Sequence, residues 1–260
     1  MQGTIPGNPP VEFDDVDSNA VFLKDVKVEF DGFKALDITR FGVHFNELRV
    51  VIGPNGAGKT TLCDVISGKS RSKSGRIFFH RTETTHLADA AIARLGVGRK
   101  FQTPTVFDSL TVYENMELAL PGRRAVFPNL FGKERSEQRD KIIAILRRVH
   151  LIDALNTQAR YLSHGQRQWL EISMLIVAEP KLLLVDEPAA GLTDHETGMT
   201  ADLLLELRGT HTIIVIEHDM DFVRRLGGKV TVLNEGKVLA EGSIDEVSAD
   251  PQVIEAYLGR

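Results

Sequence analysis

Residues 53 to 61 read Gly53-Pro54-Asn55-Gly56-Ala57-Gly58-Lys59-Thr60-Thr61, a G-x-x-x-x-G-K-[ST] pattern. The apolar run Leu48-Arg49-Val50-Val51-Ile52 before it suits a buried strand, and Thr61-Leu62-Cys63-Asp64-Val65-Ile66 after it suits an opening helix. A phosphate-binding loop requires that strand-to-helix context. Its glycines let the backbone curl, so that consecutive N–H groups from about Gly56 to Thr61 can point at phosphate oxygens at the positive end of the helix dipole. Lys59 is placed to reach the β- and γ-phosphates of a nucleotide. Thr60 offers a hydroxyl to Mg²⁺, an ion that keeps several waters and takes few protein ligands.

Away from this loop the chain has ordinary globular proportions: 260 residues, 42% apolar, 26% charged, net charge −5. That charge argues against a general affinity for nucleic acid. No run of about eighteen apolar residues marks a membrane helix, and the N-terminus lacks the basic-then-apolar layout of a secretion signal. We therefore expect the chain to stay in the cytosol. The single cysteine, Cys63, excludes an internal disulfide and reads as a small buried residue of the helix after the loop.

Residues 1–20, with Gly7-Asn8-Pro9-Pro10 and Asp14-Asp15-Val16-Asp17, read as a flexible leader, with order expected from about Val21. Val26–Phe30 and Gly42–Phe45 alternate as antiparallel strands, and Gly75–Phe79 reads as another strand after the first helix. From about Gly98 to Val177 the pattern becomes helical, clearest at Val112–Leu120 and Ile142–Val149, as in an inserted helical subdomain. Within it Pro121–Arg139 reads as a solvated loop leading into a helix. The α/β rhythm then returns: Lys181–Val185 and Thr212–Ile216 are short apolar runs typical of parallel sheets, flanking a helix over Thr193–Leu207. Val230–Leu239 reads as a hairpin turning at Glu235-Gly236, and Pro251 is suited to open a last short helix.

Two further segments carry chemistry. Leu182-Leu183-Leu184-Val185-Asp186-Glu187 is an apolar strand that ends in two carboxylates. Side chains alternate along a strand, so Asp186 can serve the metal shell while Glu187 turns toward an attacking water as the candidate base. Leu162-Ser163-His164-Gly165-Gln166, ahead of the amphipathic stretch through Trp169-Leu170-Glu171-Ile172, forms a helix start; taken alone it is an N-cap.

In this order the three segments resemble those of the ATP-binding cassette (ABC) family, and the resemblance runs from about Val21 to Arg260. It implies an α/β P-loop NTPase fold of the ABC type, with an antiparallel β subdomain, a nucleotide-binding core over 21–97 and 178–260, and a helical subdomain over about 98–177. It further implies ATP hydrolysis with Mg²⁺. Ser163, His164, Gly165 and Gln166 would then be the signature motif facing the nucleotide of another subunit. Gln102 matches the Q-loop glutamine, which meets the metal and water; His218 matches the switch histidine at the γ-phosphate; Ala190-Gly191-Leu192-Thr193 matches the D-loop. Phe30 sits where the family stacks an aromatic on adenine, with Phe33 as substitute, although a core strand aromatic is the plainer reading of Phe30. For His218 the plainer reading is a helix-capping or solvated histidine. Two departures stand out: His164 where glycine is usual in the signature, and Thr193 where the D-loop usually has aspartate, with Asp194 adjacent.

Resemblance also suggests a subgroup. A cassette without fused membrane helices is similar to importer subunits, and the charged insertion after Leu120, the Asp186–Thr193 run and the tail Val253–Gly259 resemble the branched-chain amino-acid and urea importers. Arg99–Phe107 and Leu162–Ile172 are most similar to the urea type, with branched-chain amino acids the alternative. That membership implies integral membrane permease subunits, a second cassette or a second copy as dimer partner, an indirect link to an extracytoplasmic solute-binding protein, and a place on the cytoplasmic face of the inner membrane. A cassette acting on DNA, ribosomes or cofactor assembly is a rival without the expected coiled-coil insertion, tandem cassette or basic stretch.

Overall fold

The computed structural model describes residues 13–100, 106–121 and 132–258. Helix α1 (Phe13–Ser18) leads into β1 (Asn19–Phe30), which pairs antiparallel with β2 (Phe33–His44). Asp31 and Gly32, both with positive φ (48° and 84°), close this hairpin, as the two-residue turn of an Asp-Gly pair does. Next come β3 (Leu48–Ile52), α2 (Lys59–Ile66), β4 (Ser74–Phe79), β5 (Thr82–Glu83), α3 (Asp89–Leu95) and β6 (Val97–Lys100). Helices α4 (Val112–Ala119), α5 (Gly132–Arg148) and α6 (His164–Val177) precede β7 (Leu182–Asp186), α7 (Asp194–Leu207), β8 (Thr212–Ile216) and α8 (Met220–Leu226). The hairpin β9 (Lys229–Asn234) and β10 (Lys237–Gly242) and helices α9 (Ile244–Ala249) and α10 (Pro251–Leu258) follow.

One sheet is antiparallel in the order β2-β1-β4-β5; the other runs β10-β9-β3-β8-β7-β6 and is parallel except for the β9–β10 pair. Every residue of β3, β7 and β8 is buried, which is why these strands read as mostly apolar runs rather than alternating ones. Their two faces serve different cores. Val50, Leu183, Val185, Ile213 and Val215 pack with the helical segment, including Met116, Leu146 and Leu170. Val51, Leu182, Leu184, Ile214 and Ile216 pack with α2 and the antiparallel sheet, including Leu62, Ile66, Leu36 and Phe79. Arg49 interrupts the apolar run at 1% exposure, with its guanidinium bonded to Glu47 (2.6 Å), Thr231 (2.8 Å), Glu241 (2.5 Å) and the Gly42 carbonyl (3.0 Å). Those four bonds, two of them to carboxylates, are what permit a charge there.

Three expectations need correction. Order begins before Val21: Val16 of α1 packs with Phe22 and Phe78, and Asn19 and Ala20 are buried in β1. The helical segment does not begin at Gly98, because Val97–Lys100 is the edge strand of the parallel sheet, paired with β7. The helix into which the Pro121–Arg139 stretch leads, α5, already begins at Gly132, and residues 122–131 lie outside the described residues. Cys63 is buried as expected, with its thiol pushed up to about 12 by burial.

Candidate active site

Strand register brings the chemistry together. Val51 of β3 lies opposite Ile216 of β8, and Ile216 lies opposite Asp186 of β7. The loop after β3, the turn after β7 and the turn after β8 therefore leave the sheet side by side, at the carboxyl edge where open α/β sheets bind ligands.

The phosphate-loop segment passes from β3 into α2 through Gly58, which sits at φ 100° as N-cap and gives no side-chain cap to the helix. A Cβ on Gly58 would lie 2.6 Å from the Ala35 carbonyl oxygen, so β2 presses directly on the loop. Gly236, in the β9–β10 turn, donates to Ala57 O (3.0 Å) and accepts from Asp37 N–H (2.8 Å), clamping loop and β2 together. From the far end of the chain, the Tyr257 hydroxyl takes a hydrogen bond from the Gly53 backbone; burial, the larger influence, raises its pKa. Asn55 and Gly56 are exposed at the crest of the loop, beside half-buried Pro54 and buried Gly53 and Ala57.

The Lys59 ammonium donates to the carbonyls of Gly53 (2.7 Å) and Pro54 (3.0 Å). Burial lowers its pKa, opposed by the charges of Glu187 and Asp186. Thr60 and Thr61 are half-buried in the first turn of α2. Alternation along β7 turns Asp186 to the α2 face of the sheet. Its carboxylate is buried, and neither oxygen has a hydrogen-bond partner among the described residues. Burial raises the Asp186 pKa; Glu187 and Asp64 add to the rise, while Arg99 and Lys59 oppose it. A buried carboxylate with two unused oxygens beside a threonine-bearing helix start fits a hard divalent cation. Among the described residues no group of three or more His, Cys, Asp or Glu could hold a metal, so such an ion would take its remaining oxygens from phosphate and water.

Glu187 follows β7 with a left-handed backbone, φ 48°, held by its N–H to Ile216 O (3.0 Å) and its carbonyl to Ala190 N–H (3.2 Å). A non-glycine residue in that region costs energy that neighbouring contacts must hold in place. His218 Nδ1 lies 3.6 Å from Glu187 Oε1, and both side chains are accessible. The cap of α8 is Asp219, which accepts from Asp221 N–H (2.9 Å) and Phe222 N–H (3.1 Å), so His218 is not the helix cap.

Ser163 is the N-cap of α6 in a complete capping box: its Oγ accepts from Gln166 N–H (3.2 Å) and Gln166 Oε1 accepts from Ser163 N–H (3.0 Å). His164 Nε2 lies 3.3 Å from Ala190 O, joining this helix start to the turn after β7 within one chain. At Gly165 a Cβ would run into the Glu196 carboxylate, which is the N3 partner of the Thr193 cap of α7. Thr193 thus has a capping role that its sequence position alone did not disclose. Phe30 and Phe33 face each other across the first hairpin at 48% and 66% exposure. Phe30 is therefore no core aromatic. Gln102 lies outside the described residues.

Sequence reading overlooked Glu217 and Gln168. Glu217 is buried and accepts from the N–H groups of Ala189 (3.0 Å), His218 (3.0 Å) and Asp219 (3.4 Å). Burial raises its pKa, with those amides opposing. Gln168, buried in α6, donates to Pro188 O. A carboxylate ending an apolar strand run is the one sequence signal for Glu217, and Asp186-Glu187 carries the same signal.

Comparison with known proteins places this arrangement. A family profile described as "ABC transporter" matches residues 36–190. The high-affinity branched-chain amino acid transport ATP-binding protein LivG of Salmonella typhimurium is 36% identical over 241 residues, covering 89% of this chain and 94% of that protein.

The chain belongs to the ABC transporter family.

It is an ATP-binding cassette and an ATPase. Its residues 237–260 also match the profile "Branched-chain amino acid ATP-binding cassette transporter". The BraF protein of Pseudomonas aeruginosa, likewise named for high-affinity branched-chain amino acid transport, is 34% identical over 89% of this cassette and 94% of its own length. A nucleotide-free cassette from an ABC transporter superposes with a TM-score of 0.81 at 30% identity, covering 93% of this chain and 99% of that one. An ADP-bound cassette gives 0.80 at 30% identity over the same shares. The cassette fold expected from the motifs is thus the fold of the molecule, and no helix among the described residues is long and apolar enough to cross a membrane.

Proposed function

We propose that this cassette is the ATP-hydrolysing subunit of an importer and lies against the cytoplasmic face of the membrane under integral permease subunits. One observation supports the chemistry above the others: Asp186 ends β7 with Glu187 just beyond it, His218 follows β8, and Lys59 opens α2 after the loop from neighbouring β3, close enough that Lys59 feels both carboxylates and His218 lies 3.6 Å from Glu187. The amides of residues 56–61 and the Lys59 ammonium bind the β- and γ-phosphates, and Phe30 stacks on the adenine. Thr60, Asp186 and Gln102 would hold Mg²⁺, which when bound neutralises phosphate charge. Glu187 accepts the proton of the water that attacks the γ-phosphorus, the bond to the β–γ bridging oxygen breaks, and ADP and phosphate result. His218 holds the γ-phosphate during that step.

The Ser163-His164-Gly165-Gln166 start of α6 faces the nucleotide of a second cassette, either another copy or a paralogue, so that ATP joins the two and hydrolysis releases them. Another cassette, 25% identical to this one, has been solved as a dimer with ADP and phosphate. Opening and closing pass through the Gln102 segment to the permease, and from there to an extracytoplasmic solute-binding protein.

For the solute, the names of the relatives favour branched-chain amino acids. Urea is a second reading, suggested by Arg99–Phe107 and Leu162–Ile172 and without support from those names. Uptake of labelled leucine and labelled urea in cells carrying chromosomal Lys59→Ala separates them. Loss of leucine uptake alone supports the first reading, and loss of urea uptake alone the second. Unchanged uptake of both removes the importer assignment while leaving the ATPase.

A further inference from the structure

Glu217 lies one residue beyond β8, outside the set of residues assigned above to phosphate, metal or water. Its own N–H donates to Val51 O (3.2 Å), tying it to the strand that carries the phosphate loop. One carboxylate oxygen takes the Ala189 N–H at 3.0 Å; the other takes the His218 N–H at 3.0 Å and the Asp219 N–H at 3.4 Å. The side chain is 1% exposed, so these amides take the place of water around a carboxylate that would otherwise be costly to bury. The Ala189 N–H belongs to the Pro188–Ala189 peptide, whose carbonyl takes the Gln168 side chain from α6. That peptide is gripped on both edges, immediately after Glu187 and its left-handed backbone.

We propose that Glu217 is a positioning residue for ATP hydrolysis: its carboxylate fixes the turn after Glu187 and the turn bearing His218 relative to each other, and through the Pro188–Ala189 peptide joins both to the signature-motif helix. The inference rests on the reading of Glu187 and His218 given above. It gives movement of α6 a direct route to the reacting centre, because Gln168 and Glu217 hold opposite edges of one peptide plane. Rigid support by surrounding hydrogen bonds is what an active-site group needs to keep a productive geometry.

Glu217→Gln tests this, because its amide nitrogen is a donor and must face an N–H, leaving one of the two turns without an acceptor. On the full-length chain, steady-state ATP hydrolysis and ATP binding are measured for Glu217→Gln, His218→Ala and the pair, with Glu187→Gln alongside. The expected result is a kcat about tenfold lower in Glu217→Gln with KM and ATP affinity within about twofold. The loss in the double variant should fall short of the product of the single losses by at least about threefold. A kcat within about twofold of wild type overturns the proposal. So does a loss that simply multiplies in the double variant, since that is general loosening. If Glu217→Gln does not fold, Glu217→Asp enters the same cycle, with a smaller loss expected and the same coupling to His218 required. Normal turnover by Glu187→Gln removes the base assignment on its own and leaves the cycle between Glu217 and His218 to be judged separately.

Discussion

Helices α2 and α6 both begin at segments proposed to meet phosphate, yet they are finished in opposite ways. At α2 the N-cap is Gly58 in a left-handed conformation with no side-chain cap, so the first-turn amides are left to an outside acceptor. At α6 the cap is Ser163, whose oxygen is already bonded to Gln166 N–H, with the glutamine side chain returning the bond. The first start leaves its amides to an anion, whereas the second has its N-cap and third-position amides satisfied within the chain. On the reading proposed above, binding of a nucleotide by one subunit belongs to α2 and its lysine, whereas α6 adds contacts to a neighbour's nucleotide beyond its own cap.

The sharpest way to break this contrast is Lys59→Ala. Loss of a charge-assisted contact at a phosphate should weaken ATP binding by about 100-fold, read by titration with a fluorescent nucleotide, while the denaturant midpoint barely changes. An affinity within about twofold of wild type would show that the amides of α2 suffice alone.

Much of that contrast could be read from sequence. The G-x-x-x-x-G-K-[ST] pattern, the strand ending in Asp186-Glu187 and the serine before Gly165 are local, and a local pattern carries its own backbone geometry. What escaped depends on register or on distant partners. Arg49 sits in the apolar run of β3, and two of its partners, Thr231 and Glu241, come from the other end of the chain. Glu217 looks like any acid at the end of a strand until β8 is seen lying between β3 and β7. Strand β6, only four residues with two of them charged, has too little apolar content to stand out from the helical stretch that follows. The Tyr257 contact with Gly53 joins the last helix to the first loop and has no local signature.

A carboxylate buried on the α2 face without a hydrogen-bond partner among the described residues should also be visible in stability. Asp186 has its pKa raised by burial, so its contribution to stability is fully present below the ordinary carboxylate value and is lost as pH rises through the raised, folded-state value. Asp186→Asn removes the buried charge and should be more stable than wild type at pH 7 by roughly 1 kcal/mol. In metal-free buffer the difference should shrink toward zero as pH falls below about 4. A difference that does not change with pH would mean that the charge on Asp186 is compensated by groups not yet identified.

On the α6 side, Ser163→Ala should cost about 1 kcal/mol of stability and Ser163→Gly only a few tenths, the usual hierarchy at a capped helix start. Equilibrium urea unfolding reads both. ATP affinity should stay within about twofold in either variant, while turnover falls wherever two cassettes must close on a nucleotide. A Ser163→Ala protein that loses affinity in step with stability would erase the distinction between the two helix starts.

The smallest effect is expected at His164, where the chain departs from the usual glycine. Its ring nitrogen lies 3.3 Å from Ala190 O, so the side chain joins the α6 start to the turn after β7, close to the peptide gripped by Gln168 and Glu217. His164→Gly deletes that link and loosens the first helical position, without touching the phosphate loop or the Ser163 cap. Turnover should change by about two- to fivefold, a range fitting one exposed hydrogen bond, with ATP affinity unaltered. His164→Gln, which keeps a donor of similar reach, should fall between the two. Turnover equal to wild type across a pH series in both variants would show that the imidazole only fills space, and that the coupling of α6 to the reacting centre runs through Gln168 alone.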